Sequence, residues 1–155
     1  MRQLVPTFIS ERLAAGRRAG RMAATCLFVD TAGFTPLTSA LMAYGVEGTE
    51  VTAQILHTIF EPLVRAVYAW GGFVAGFAGD SLKAVFPGTD RDAARRCLLA
   101  ADAMRQHMAA HRRIATRFGD FDFAAKICLA DGDVSWSIWE IPGELRQAAA
   151  YTISG

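Results

Sequence analysis

Apolar positions along this chain follow two different periods, and the contrast between them predicts its elements. Residues 23–29, Ala-Ala-Thr-Cys-Leu-Phe-Val, are apolar on both faces over a short span and predict a buried strand. From Glu50 to Trp70, apolar side chains recur at Val51, Ile55, Ile59, Leu63 and Val67, the stripe of one long helix. Pro62 falls inside that stripe and predicts a kink or a local irregularity. Residues 72–86 read as a β-hairpin turning near Ala78-Gly79-Asp80 and closed by Pro87-Gly88. Thr89 or Asp90 then caps a helix whose apolar face is Ala94, Cys97, Leu98, Ala101, Met104 and Met108. Asp90 and Asp92 near its start, and Arg112 and Arg113 near its end, suit the helix dipole. Residues 121–130 and 133–141 predict a second hairpin around Asp131-Gly132, and Ala149–Ile153 a last strand.

The chain before residue 23 reads differently. Val5, Phe8, Ile9 and Leu13 form one face of a short helix, and Gly16 and Gly20 interrupt a basic connector. Residues 1–22 are therefore expected to be a lead-in, and residues 23–155 the domain proper. After the first strand, Thr35 is the expected cap of a helix to about Tyr44, with Pro36 in its first turn; Gly45 and Gly48 then mark a break. The order β-α-α-β-β-α-β-β-β implies an α+β sandwich, helices over a mostly antiparallel sheet.

A length of 155 residues, 52% of them hydrophobic and 20% charged, is enough for one folded domain with a core. A net charge of +1 gives no electrostatic reason to expect nucleic acid or an acidic membrane as partner. The three cysteines, Cys26, Cys97 and Cys128, have no CxxC spacing, which fits a reducing cytoplasm better than a disulfide framework or a zinc site. No apolar run approaches the ~20 residues of a membrane helix, and the start lacks the pattern of a signal peptide.

Chemistry concentrates in two places. Cys26-Leu27-Phe28-Val29-Asp30-Thr31-Ala32-Gly33-Phe34-Thr35 ends an apolar run on an aspartate, followed by a small-residue turn and a helix start. The hairpin Gly72-Phe73-Val74-Ala75-Gly76-Phe77-Ala78-Gly79-Asp80 carries a second aspartate at its tip. Two carboxylates on strand ends, beside free backbone N–H groups, could cradle divalent metal and polyphosphate.

These residues resemble the class III nucleotidyl cyclase catalytic domain, the adenylate/guanylate cyclase family. Phe28–Thr35 matches its F-x-D-I/L-x-G-F-T signature with Thr31 at the I/L position, and Gly72–Asp80 matches its second-aspartate hairpin. Gly132-Asp133-Val134 is similar to the family's G-x-V segment, and Tyr151-Thr152-Ile153-Ser154-Gly155 to its Y-T-x-x-G. The wording of the hairpin is most similar to bicarbonate-type soluble cyclases, including domains at the N-terminus of large ATPase/repeat proteins.

The resemblance implies a ferredoxin-like sheet and a reaction turning ATP, or as second choice GTP, into cyclic nucleotide and pyrophosphate. It assigns two Mg²⁺ or Mn²⁺ ions to Asp30 and Asp80, with the carbonyl of Thr31 also in reach. It gives the phosphates to the backbone of Ala32, Gly33, Phe34 and Thr35, with Gly79 beside Asp80 in the nucleotide-binding set. It also implies a second cyclase domain as partner, in a homodimer or an intramolecular pseudo-dimer, since the site is shared.

Two departures qualify the match. The hairpin Lys of many relatives is Gly76 here, and the sequence stops at Gly155, before the segment that carries the family's transition-state Asn and Arg. A C-terminally truncated domain is the expectation. A non-catalytic cyclase-like module that binds nucleotide is the alternative. A GTPase is disfavoured: Asp30-Thr31-Ala32-Gly33 has the wording of a switch region, but no G-x-x-x-x-G-K-S/T precedes it. The Gly-Gly-Asp/Glu-Glu-Phe turn of diguanylate cyclases is absent as well.

The remaining candidates have plainer readings. Asp131 and Asp133 read as turn residues, and His107 and His111 as surface histidines without the H-E-x-x-H pattern. His57 reads as an edge-of-core residue, and Trp136 and Trp139 as lying on opposite strand faces.

Overall fold

A computed structural model describes residues 5–141 and 148–154, with side chains placed up to Trp139 and again from Tyr151 to Ser154. Residues 1–4 and Gly155, the last position of the Tyr-Thr motif, lie outside the described residues.

A short helix α1 (Thr7–Ala14) leads into a long strand β1 (Ala19–Ala32), then helix α2 (Phe34–Leu41), a 3₁₀ turn at Met42–Tyr44 and helix α3 (Gly45–Ala69). The hairpin β2 (Phe73–Ala78) and β3 (Ser81–Pro87) follows, then helix α4 (Arg91–Ala110). A small ribbon, β4 (Arg113–Thr116) and β5 (Gly119–Asp122), precedes the long strand β6 (Ala124–Ile141) and the last strand β7 (Ala148–Ser154). The main sheet has the order β2-β3-β1-β6-β7 with every pairing antiparallel. Its first four strands and the intervening helices form the β-α-β-β-α-β arrangement of a ferredoxin-like sheet. The α+β architecture expected from the element order is the observed one.

Helices α2, α3 and α4 cover one sheet face. Their stripes, Leu37 and Leu41, then Ile55, Ile59, Leu63 and Val67, then Cys97, Ala100 and Met104, pack on Leu27, Val29, Leu82, Ala84 and Phe86. The other face is covered in part by α1, where Phe8 stacks on Phe73 at 5.2 Å and meets Trp136 edge-on at 5.6 Å. Trp136 is 5% exposed and Trp139 52%, the opposite-face placement that strand alternation requires.

Several local expectations are corrected. The first strand runs over Ala19–Ala32 rather than 23–29, because β6 supplies partners along its whole length. No hairpin forms at Asp131-Gly132: both residues pair with β1 inside the continuous β6, opposite Thr25 and Ala24. Asp131 accepts a 2.6 Å hydrogen bond from the Thr25 hydroxyl, so cross-strand pairing overrides the turn propensity of the dipeptide. The cap of α2 is Gly33, not Thr35, so the helix begins earlier. Gly45 and Gly48 lie within the first turn of α3 rather than ahead of the helix. The buried face of α4 is Ala93, Cys97, Ala100, Met104 and Met108; Leu98 is 59% exposed, and the stripe is rotated from the expected one. His57 is exposed rather than at the edge of the core. The β4–β5 ribbon was not expected as a separate element.

Candidate functional site

The site forms where β1 meets the β2–β3 hairpin. Asp30 stands opposite Ser81 in the β1–β3 ladder, and Asp80 is the turn residue immediately before Ser81. Cross-strand register therefore brings together two aspartates that are fifty positions apart in sequence (80 − 30). Two hydrogen bonds fix the arrangement. The Ser81 hydroxyl donates to the Asp30 carboxylate at 2.7 Å, and the Thr31 hydroxyl donates to the Asp80 carbonyl at 2.5 Å. The Thr31 N–H reaches the same carbonyl at 3.3 Å. Thr31 and Ser81 are buried, Asp80 is half-buried and Asp30 is exposed. The acidic groups thus lie at the wet rim of a well-anchored strand end. Gly79 adopts φ +61° and makes the tight turn that presents Asp80.

The chain then passes through Ala32 and Gly33 into α2. Gly33 has φ +119°, and a Cβ there would collide with the carbonyl of Asp122 and the ring of Phe123. The protein itself therefore requires a glycine at this position, where β5 runs into β6. Phe34 is buried under this turn, 5.4 Å from the Phe60 ring and 5.2 Å from Phe123, and Thr35 is exposed. Among the described residues no side chain caps α2, and Pro36 has no N–H, so the N–H groups of Phe34 and Thr35 have no side-chain capping partner there.

The donor set suits a hard divalent cation. Among the described residues no group of three or more His, Cys, Asp or Glu is close enough to share a metal. Asp30 and Asp80 are a two-carboxylate set, which matches Mg²⁺ sites that take their remaining oxygens from water and substrate phosphates. His107 and His111 stack at 4.1 Å, but one nitrogen of each ring is engaged with the carbonyl of Thr58 or His107.

The sequence reading missed three neighbours. Ser81 holds Asp30, Lys126 stands opposite Asp30 on β6, and Arg112 lies beside Ala32 and Gly33. Only Ser81 had a local signal, its place directly after the hairpin aspartate.

No protein-family model matches the sequence, and no curated protein matches it. Solved structures do. The structure of a bacterial light-regulated adenylyl cyclase aligns with TM-score 0.70 at 19% identity, covering 97% of this chain and 42% of that one. The fold is that of a nucleotidyl cyclase domain. The adenylyl cyclase CyaB from P. aeruginosa aligns with TM-score 0.60 at 20% identity, covering 88% of this chain and 67% of that one. A dimeric guanylyl cyclase domain of the RhoGC fusion protein from the aquatic fungus Blastocladiella emersonii gives TM-score 0.60 at 20% identity, covering 89% and 70%. The chain thus spans less than half of the light-regulated enzyme and about two thirds of the other two. Among the described residues no helix is long and apolar enough to cross a membrane.

Proposed function

We propose that this chain is a nucleotidyl cyclase domain of the cytoplasm that converts ATP, in preference to GTP, into cyclic nucleotide and pyrophosphate. The observation that carries the reading is the Asp30–Ser81 pairing, which sets the signature aspartate beside the hairpin aspartate on a cyclase fold. Asp30 and Asp80, with the Thr31 carbonyl, would hold two Mg²⁺ or Mn²⁺ ions. Bound there, such ions supply charge neutralisation for the phosphates and acidify the ribose 3′-hydroxyl.

The chain's own groups account for the rest. The uncapped N–H groups at the start of α2 receive phosphate oxygens, favoured by the helix dipole. Gly33 keeps the turn tight enough for that approach. Ser81 holds Asp30 in one orientation. The ribose 3′-oxygen gives its proton to solvent and bonds to the α-phosphorus while the bond from that phosphorus to the oxygen bridging to the β-phosphate breaks, and pyrophosphate leaves. A second cyclase domain completes the site. The decisive experiment incubates the protein with Mn²⁺ and ATP. Cyclic AMP should form, and Asp30→Ala should abolish it; undiminished product from Asp30→Ala sinks the metal assignment.

One observation favours a second reading, a non-catalytic module that binds nucleotide. Gly76, on β2 next to a bulge in the β2–β3 register, stands where the resemblance puts a lysine, and a Cβ there would meet nothing within 4 Å. Room for a side chain exists, yet the cation is missing. Nucleotide binding without pyrophosphate release, in the protein with its partner domain present, would establish this second reading.

A further inference from the structure

We infer that the β4–β5 ribbon straps helix α2 at both ends, and that the Tyr44–Phe118 ring pair at its tip positions the Ala32–Thr35 turn. The strap stands on contacts within the chain; the positioning role rests on the cyclase reading.

Helix α2 has eight residues, well short of the roughly 12–15 at which a helix begins to persist by itself. Phe34, Leu37 and Leu41 fasten its buried face to the core, and the ribbon fixes its ends. At the root of the ribbon, the Asp122 carbonyl and the Phe123 ring lie against Gly33, the cap of α2, too close to admit a Cβ. The Phe123 ring also packs on Phe34 at 5.2 Å. At the tip, Phe118 stacks on Tyr44 at 4.1 Å, and Tyr44 ends the 3₁₀ turn that follows α2. One end of the ribbon thus meets the residue before α2, and the other meets the turn after it.

The ribbon is only two strands of four residues each, and a lone hairpin of that kind is marginal in water. Its anchors therefore matter. Ile114 and Phe121, paired across it, pack against the core. The Phe123 N–H donates to the Arg112 carbonyl at 2.7 Å and closes the root. At the tip, the Thr116 hydroxyl donates to the Gly119 carbonyl at 2.8 Å and accepts the Phe118 N–H at 3.0 Å, which fixes the backbone that carries the Phe118 ring. The Arg117 guanidinium lies over that ring, 4.8 Å from its centroid, and pairs with Glu47 in the first turn of α3 at 3.1 Å. Both charges of this pair are more than half exposed, so it contributes little. The ring pair holds the tip. Without it the strands fray toward the root, where Asp122 and Phe123 back the turn. Tyr44 and Phe118 act on that turn through the ribbon, as positioning residues.

Amide hydrogen exchange, and calorimetry with ATP and Mn²⁺, test this on the unaltered protein, Phe118→Ala, Phe118→Tyr and Glu47→Gln. Phe118→Ala should speed exchange of the Leu37–Leu41 amides about three- to tenfold, the factor that a lost ring pair represents. It should weaken ATP by a similar factor and leave exchange in the β1–β3 ladder unchanged. Phe118→Tyr, which keeps the ring, should behave as the unaltered protein in both measurements. Glu47→Gln should change neither. Unchanged α2 exchange in Phe118→Ala, equal acceleration throughout the protein, or an equal effect of Glu47→Gln overturns the strap. Faster α2 exchange with undiminished ATP affinity overturns the positioning role. An unaltered protein that binds no ATP defeats the nucleotide reading and the positioning role with it, while the exchange pattern still decides the strap.

Discussion

His107 on α4 donates its Nε2–H to the carbonyl of Thr58 on α3 at 3.0 Å. Thr58 stands four residues before Pro62, which has no N–H to offer that carbonyl. The histidine therefore fills the hydrogen bond that the proline leaves open, and α3 continues without interruption from Gly45 to Ala69. His107→Leu should cost about 1–3 kcal/mol by leaving the carbonyl unsatisfied. In a Pro62→Ala background the helix supplies its own N–H, so the same substitution should cost clearly less. A double-mutant cycle in urea measures the difference. Equal costs in both backgrounds would refute the link.

Burial, and then the neighbouring His111 ring, push His107 below its ordinary value of 6.5, while its bond to Thr58 opposes the shift. The unfolded chain therefore binds more protons here than the native one. The contribution to stability is fully present above about 6.5 and is lost as pH falls from there through the lowered native value. Urea midpoints at pH 7.5 and 5.5 should fall with acid, and His107→Leu should reduce that fall. An identical pH response in the variant would contradict this account.

Ser81→Ala removes the hydroxyl that orients Asp30. On the proposed reaction, turnover at limiting Mn²⁺ should drop roughly tenfold, as for other groups that orient metal ligands. Stability should fall by only about 1 kcal/mol. Initial rates against Mn²⁺ concentration, beside a urea melt, separate the two effects. Wild-type metal dependence in the variant would remove Ser81 from the site.

Gly33→Ala forces a side chain onto the Asp122 carbonyl and the Phe123 ring at a backbone angle that alanine disfavours. The expected loss is roughly 2–4 kcal/mol, visible in denaturation even without nucleotide. A Gly33→Ala variant of normal stability would contradict this packing account.

Much of the architecture can be read from local pattern. The α3 stripe from Ile55 to Val67, the Asp90 cap of α4 with its 2.7 Å bond from the Ala93 N–H, and the Gly79-Asp80 turn each depend on residues close in sequence. The same holds for the two aspartates and the glycine turn as candidates, since their spacing is a property of single strand ends. Asp131-Gly132 shows the limit. The dipeptide favours a turn by itself, and only the length of β1 opposite it keeps β6 extended.

Periodicity and turn chemistry act over a few residues, so they settle which elements form and which faces are apolar. Register, helix rotation and the neighbours of a backbone turn depend on what the rest of the chain packs against them. Folding therefore decided that Asp30 meets Ser81, that Gly33 is needed by Asp122 and Phe123, that Leu98 faces outward, and that Arg112 comes to line one cavity with Ala32 and Gly33.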